Sequence, residues 1–203
     1  MKITDNLAQK FAEFPGIGER QAKRFVYFLL RRSKEDREEI SRLIKDLSSL
    51  VSMCKTCYRY FEGSGDICED CSDKNRDTST LMVLEKDADY EGMKKSRVYN
   101  GLYFLFGGTI PIVEKNTGTK VRLKELVDRT KNMAKDSSLK EVILAFSYSR
   151  DGDHTSFYLK QVLEKELSPF GVKITMLGRG LSTGTEIEYS DTDTLQNALK
   201  GRQ

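Results

Sequence analysis

Apolar residues recur at helical spacing through the first fifty positions of the chain. Intervals of three or four residues predict a first helix from Ile3 that stops at Pro15-Gly16-Ile17-Gly18, where the pattern breaks. A second helix is predicted from about Glu19 to Arg32 and a third from Asp36 to Val51. The N-terminal region is therefore expected to be all-α, with a hairpin between its first two helices.

Apolar stripes define the inner faces of these helices. The second helix is expected to bury Ala22, Phe25, Val26, Leu29 and Leu30. The third continues with Ile40, Leu43, Ile44, Leu47 and Leu50.

From Thr80 onward, short apolar runs alternate with helical patterns. The runs cover 81–84, 102–106, 142–146 and 172–177, and the helical patterns lie near Tyr90 and over 123–134, 155–167 and 192–199. Such alternation predicts a mostly parallel sheet covered on both faces. The expected fold class is α/β with an N-terminal all-α segment. The predicted regions are a helical region at 1–52, a cysteine finger at 53–78, a sheet domain at 79–177 and a tail at 178–203.

Composition favours a folded protein without a membrane span. Of 203 residues, 38% are hydrophobic and 32% charged, which fits a globular chain rather than a disordered one. No apolar run approaches the roughly 20 residues that a spanning helix needs, and the first ten residues lack the apolar core of a secretory signal. A cytoplasmic location is expected, and there thiols stay reduced or bind metal.

All four cysteines lie in one short segment. Cys54, Cys57, Cys68 and Cys71 form two CxxC pairs separated by ten residues, a spacing that supplies four thiolates to one tetrahedral zinc ion. Four protein ligands leave no open position for water, so one structural Zn²⁺ per chain is expected rather than a catalytic ion. Four ordinary thiols, or a redox CxxC, are the alternatives.

The hairpin combines a tight turn with positive charge. Gly16 and Gly18 allow backbone N–H groups to approach a phosphate, while Arg20, Lys23 and Arg24 add charge at the start of the second helix. The net charge is only +3, yet the window from Arg20 to Lys34 holds six basic residues and no acidic one. These features favour DNA binding through phosphates, independent of sequence and weakened by salt. A simple helix connection with a solvated basic face is the alternative.

The sheet region resembles the Toprim domain of topoisomerases and primases. Glu85 follows the first strand, and Ser147-Tyr148-Ser149-Arg150-Asp151-Gly152 follows a later one. In catalytic Toprim members a glutamate and two aspartates bind magnesium. Glu85, Arg150 and Gly152 match that pattern, but Ser147 and Ser149 replace both aspartates and Asp151 replaces the second glutamate. Hydroxyls are far weaker magnesium ligands than carboxylates, so the chain is expected not to be an enzyme.

Asp151 and Asp153 form a DxD motif, but it lies four residues later in the sequence than the two aspartates of the Toprim pattern. Acids at this position are expected to complement the dipole at the start of a helix rather than to hold a metal. A relocated magnesium site of Glu85, Asp151 and Asp153, in a nuclease or primase-like enzyme, is the alternative.

Over nearly its whole length the chain resembles the RecR family of bacterial recombination mediators. The resemblance rests on the order of hairpin, four-cysteine site, Toprim-like region and glycine-rich tail. The sequence segments that resemble this family are Phe14-Pro15-Gly16-Ile17-Gly18, Cys68-Glu69-Asp70-Cys71-Ser72-Asp73, Phe106-Gly107-Gly108, and Arg179-Gly180-Leu181 followed by Gly184 and Glu188-Tyr189.

That resemblance implies a non-catalytic DNA repair and recombination protein. It would bind single- and double-stranded DNA, with Arg20 and Arg24 facing the DNA, and assemble as a ring-shaped homotetramer in the bacterial cytoplasm at the nucleoid. Partners of the RecO and RecF type would meet the Toprim-like region, with Glu85 and Asp151 as candidate contacts, and recombinase would be loaded at single-strand gaps. Family members commonly carry Asn-Pro-Thr before Glu-Gly where this chain has Ser147-Tyr148-Ser149 before Asp151-Gly152. A zinc-ribbon adaptor, binding partners through the cysteine site, is a third alternative.

Overall fold

The computed structural model describes residues 2–112, 121–136, 138–178, 180–181 and 184–200. Arg179, part of the family-like tail, lies outside the described residues. The chain forms two compact units, one of Met1–Ser52 with Glu62–Ser64 and one of Met53–Phe61 with Gly65–Gln203. The expected fold class is confirmed: an all-α N-terminal segment, a four-cysteine cluster and a parallel sheet.

The N-terminal unit contains three helices, α1 (Ile3–Ala12), α2 (Glu19–Leu30) and α3 (Lys34–Leu50). Between α1 and α2 the chain turns through Gly16, whose φ of +77° favours glycine over any residue with a Cβ atom. Helix α3 starts two residues earlier than the apolar pattern predicts, because the Ser33 hydroxyl caps it by accepting from the Asp36 amide at 3.1 Å.

Helix α3 does not bury its apolar stripe within the chain. Its five apolar residues from Ile40 to Leu50 are between 39% and 62% exposed, and no residue of α3 is buried. Helix α2 buries only Ala22 and Val26 fully, and the prediction that it buries Leu30 is wrong, because Leu30 is 56% exposed. The expectation of a buried stripe is therefore wrong for α3, since the periodicity marks a face suited to packing without saying what packs there.

Two short strands, β1 (Val51–Met53) and β2 (Tyr60–Glu62), pair as a ribbon, and a one-turn helix, α4 (Glu69–Ser72), follows them. The cysteines lie in the turn between the strands and around α4. The sequence pattern did not reveal α4, because a single turn is too short to show a helical period.

The main sheet is parallel throughout, in the order β4-β3-β5-β6. Its strands are β3 (Asp77–Leu84), β4 (Gly101–Leu105), β5 (Glu141–Ala145) and β6 (Lys173–Met176). The helices that alternate with them or follow them are α5 (Asp87–Ser96), α6 (Leu123–Lys135), α7 (Arg150–Leu167) and α8 (Thr192–Lys200). Strand β3 starts four residues before its apolar run, because its first four residues are exposed or only partly buried and need not be apolar.

Alternation along the strands builds a core on each face of the sheet. Leu81 and Val83 join the larger cluster, which includes residues of α6 and α7, whereas Met82 and Leu84 join the smaller one with Tyr90 of α5. Strands β3 and β5 are neighbours and end level with each other, with Leu84 beside Ala145. The residues that follow them therefore meet at one edge of the sheet.

None of the described helices combines the length and the apolar character needed to cross a membrane.

Candidate functional site

The four cysteine sulfurs converge on one point. All four Sγ atoms lie within 4.8 Å of one another, and those of Cys57 and Cys68 are 3.6 Å apart. Tetrahedral zinc with Zn–S bonds of about 2.3 Å requires sulfurs about 3.8 Å apart, so the arrangement fits that ion. Cys54, Cys57 and Cys68 are buried and Cys71 is partly buried. These residues could hold a metal in a closed, four-ligand site.

Backbone amides also point at this cluster. The amides of Thr56 and Cys68 both donate to Cys54 Sγ at 3.4 Å, as expected around a thiolate. The knuckle between the first two cysteines closes with a 2.9 Å hydrogen bond from the Tyr58 amide to the Cys54 carbonyl, and Tyr58 adopts a left-handed φ of 64°. A non-glycine residue in this conformation indicates that the surrounding contacts fix the turn.

Charge is shared unevenly among the thiols. The contact between Cys57 and Cys68 lowers the pKa of Cys68 and raises that of Cys57. Burial lowers the pKa of the neighbouring Arg59, but contacts with Glu69 and Cys68 outweigh burial and raise it overall. Arg59 therefore remains a buried cation beside the sulfur cluster, where it favours thiolates.

Asp70, inside the second CxxC pair, is the centre of a buried ion network. Its carboxylate contacts Arg76 and accepts from the Tyr90 hydroxyl, and Lys94 Nζ and Arg59 Nη2 lie at 3.2 and 3.4 Å. Asp70 is 7% exposed, and the guanidinium of Arg59 lies 4.7 Å from the centre of the Tyr90 ring. The network ties α4 of the cysteine insert to α5 of the sheet domain. The sequence did not reveal this network, and its only signal was the pair of acids, Glu69 and Asp70, between two cysteines.

A second set of contacts holds the first CxxC pair against the edge strand β4. Arg129 of α6 donates to the carbonyls of Thr56 at 2.8 Å and Tyr103 at 2.7 Å, and the Leu105 amide donates to the Cys57 carbonyl at 2.8 Å. The cysteine insert thus covers part of an otherwise open sheet edge. It is packed as a part of the second unit rather than as an independent finger.

The hairpin presents an open helix start. The amides in the first turn of any α-helix have no intrahelical partner. In α2 the N-cap is Gly18, which has no side chain to accept from them. Arg20 and Arg24 are exposed and one turn apart, hence on the same face. Lys23 instead lines a shallow recess together with the acids Asp5, Glu13 and Glu19. The structure therefore brings Arg20 and Arg24 together and sets Lys23 among carboxylates.

Glu85 meets the two serines at the shared end of β3 and β5. Ser147 Oγ donates to Glu85 Oε2 at 2.9 Å and lies 3.2 Å from Ser149 Oγ. Ser149 caps α7 by accepting from the Gly152 amide at 3.1 Å. A Cβ atom on Gly152 would lie 2.0 Å from the Ser147 carbonyl oxygen, so only glycine allows the helix to approach this loop so closely.

Asp151 and Asp153 lie in the first turn of α7, as the sequence predicted. Asp151 is exposed and Asp153 partly buried. Over the described part of the chain, the four cysteines are the one group of three or more Cys, His, Asp or Glu residues close enough to share a metal. Glu85, Asp151 and Asp153 do not form such a group.

Three family models match this chain. A model described as the helix-hairpin-helix of RecR matches residues 4–49, a Toprim domain model matches residues 79–178, and a model of the RecR C-terminal region matches residues 180–203.

The curated relatives are similar over nearly their full length. The chain is 36% identical to a protein named Recombination protein RecR from Chloroherpeton thalassium, over 98% of this chain and 95% of that protein. Proteins of the same name from Lactococcus lactis subsp. lactis and Lactobacillus acidophilus are 34% and 32% identical, each over 97% of this chain and 94% of the relative.

Proposed function

The chain belongs to the RecR family of recombination proteins, and on this basis we propose that it is a DNA repair and recombination mediator that binds DNA with little sequence specificity. It acts with partners of the RecO and RecF type to promote recombinase loading at single-strand gaps. The observation that carries the DNA-binding part is the uncapped start of α2 with Arg20 and Arg24 exposed on one face.

The hairpin binds phosphate rather than bases. Gly16 and Gly18 contribute no side chains to the turn, so that the first amides of α2 reach a phosphate oxygen. Arg20 and Arg24 add charge–charge attraction along the same face, and Lys23 contributes less because acids surround it. Binding of this type tolerates both duplex and single-stranded DNA.

Replacing Arg20 and Arg24 together with glutamine is expected to weaken DNA binding on the order of 100-fold at 0.1 M salt and to reduce the slope of log K against log salt by about two. Two phosphate contacts are lost while the helix keeps two residues that favour helical structure. Fluorescence anisotropy with a random-sequence oligonucleotide over a salt series measures both quantities.

The control removes the same charge elsewhere in the same unit. Arg42→Gln with Lys45→Gln on α3 takes away two exposed cations and should change affinity far less. Equal losses in the two double variants would show that net charge alone matters, and the hairpin assignment would then be wrong.

One structural Zn²⁺ per chain completes this proposal. Cys54, Cys57, Cys68 and Cys71 would hold it, and the ion would stabilise the insert while leaving no coordination position for a reacting water. The fit of the sulfur spacing and the amides aimed at Cys54 support this assignment.

The carboxyl edge of the sheet faces the protein partners in this proposal. Asp151 is exposed there, and Glu85 lies in the same edge with one carboxylate oxygen bonded to Ser147. Together they offer a small acidic surface next to the start of α7, suited to a basic surface on a RecO- or RecF-type protein.

The protein is proposed to be non-catalytic at this edge. Incubation with labelled single- or double-stranded DNA, Mg²⁺ and nucleotides should leave the substrates intact, because one carboxylate and two hydroxyls are a weak magnesium site. Gel electrophoresis checks this. Metal-dependent products that Glu85→Gln abolishes would establish the Toprim enzyme instead.

Self-association into a ring tetramer is also proposed. The exposed apolar stripe of α3 supports it, since a surface with five large apolar residues on one helix is costly in water. The bacterial sources of the relatives support a bacterial protein, and a place of action at the nucleoid follows only from the proposed DNA binding.

A further inference from the structure

The exposed face of α2 carries an aromatic residue among the arginines. Arg20, Arg24 and Tyr27 of α2 and Arg31, its C-cap residue with helical backbone angles, follow one another at intervals of four, three and four residues, which places them on one side of the helix. Tyr27 is 60% exposed, and all three arginines are exposed. A concave surface lined by Gln21, Arg24, Phe25, Tyr27, Phe28 and Arg31 follows this side.

Tyr27 has no partner within the described part of the chain, neither a hydrogen bond nor a ring contact. The adjacent Phe28 differs, because the guanidinium of Arg32 lies over its ring at 4.9 Å. Arg24 makes a single weak contact of 3.4 Å with Gln21, and no ion pair within the described residues involves Arg20, Arg24 or Arg31. Both the ring and the cations beside it are therefore available to a ligand.

The charge of this face selects the kind of ligand. Three arginines with no acid between them favour a polyanion over a protein surface of mixed charge. An aromatic ring exposed between cations adds a stacking platform, which every unpaired base fits because each base has a π-face. A paired base in a duplex hides its faces against its neighbours, so duplex DNA does not use the ring.

We propose that Tyr27 stacks on an unpaired base of single-stranded DNA while Arg24 and Arg31 bind the phosphates on either side. The two arginines are seven residues apart, about 10 Å along the helix, with Tyr27 between them. This inference rests on the proposed function and deepens it: the same face that grips phosphate also distinguishes a gap from a duplex, without reading sequence.

The test compares two oligonucleotides of equal length and charge, one of thymidine and one of abasic residues. Wild-type protein should bind the thymidine strand about tenfold more tightly, and Tyr27→Leu should reduce that ratio to near one while keeping the abasic affinity. Tyr27→Phe should retain the ratio, and Arg31→Gln should weaken both strands equally. Anisotropy titrations at one salt concentration measure all four proteins, with thermal melting as the test of folding.

The outcomes separate this inference from the proposal beneath it. If wild-type protein binds neither strand, the proposed DNA-binding function is wrong. If it binds both strands equally, or if Tyr27→Leu preserves the ratio, only the stacking role is overturned. If Tyr27→Leu instead changes the oligomeric state in size-exclusion chromatography and weakens both strands alike, Tyr27 belongs to an interface between copies, and the stacking role is again overturned.

Discussion

Replacement of Cys57 by serine is expected to eliminate stoichiometric zinc and to unfold the cysteine insert. The binding free energy of a structural zinc ion is on the order of 10 kcal/mol and is coupled to folding, which is comparable to the whole stability of a typical domain. Cys57 is buried with its Sγ 3.6 Å from that of Cys68, and a neutral serine hydroxyl in its place is a far weaker zinc ligand than a thiolate. Metal analysis and thermal unfolding of the full chain measure the two effects, and a strong chelator should reproduce them in the wild type.

Ser64→Ala provides the control, because this exposed residue lies in the same loop between the two CxxC pairs and contributes no sulfur. It should retain one zinc per chain and the wild-type melting temperature. A Cys57→Ser protein with unchanged stability and no metal would mean that the thiols are ordinary core residues and that the zinc assignment is wrong.

Asp70→Asn is expected to lower the free energy of unfolding by about 3 kcal/mol, near the lower end of the cost of breaking a buried ion pair, because the amide oxygen still accepts a hydrogen bond. The change leaves the buried Arg59 and the partly buried Arg76 with one fewer counter-charge. Urea denaturation followed by circular dichroism measures the difference, and zinc content should stay at one per chain.

Asp66→Asn is the matched control for this change. Asp66 also pairs with a cation, Lys55 at 2.8 Å, but both side chains are about 70% exposed, so solvent screens the pair. Its loss should change stability little. If the two variants behaved alike, the buried network around Asp70 would contribute nothing beyond a surface ion pair.

Local features were readable from the sequence because spacing alone determines them. The CxxC pairs, the glycine turn and the amphipathic helices depend on neighbours within a few residues, and the ends of α2 and α3 lie within two residues of the predicted ones. The Toprim resemblance placed Glu85, Ser147 and Ser149 in one metal-site pattern, and the structure brings them together because β3 and β5 are neighbouring parallel strands that end level.

Features that depend on distant residues could not be read in this way. Asp70 is buried because Tyr90 and Lys94 approach it from a helix about twenty residues away, and no spacing rule encodes that approach. Arg129 reaches the first cysteine knuckle across more than seventy residues. The exposure of the apolar stripe of α3 was not predicted either. The sequence pattern identifies the apolar face of the helix correctly, but it does not show which surface packs against that face.

The serine pair at the sheet edge has a consequence for how the protein responds to ions. Three carboxylates crowded at the ends of β3 and β5 would repel one another until a divalent cation neutralised them. Here Ser147 and Ser149 instead satisfy Glu85 and the start of α7 with hydroxyl hydrogen bonds. Glu85 is the single carboxylate among these three positions, so there is no repulsion for a divalent cation to offset, and the shape of the edge should be indifferent to the magnesium concentration of the cell.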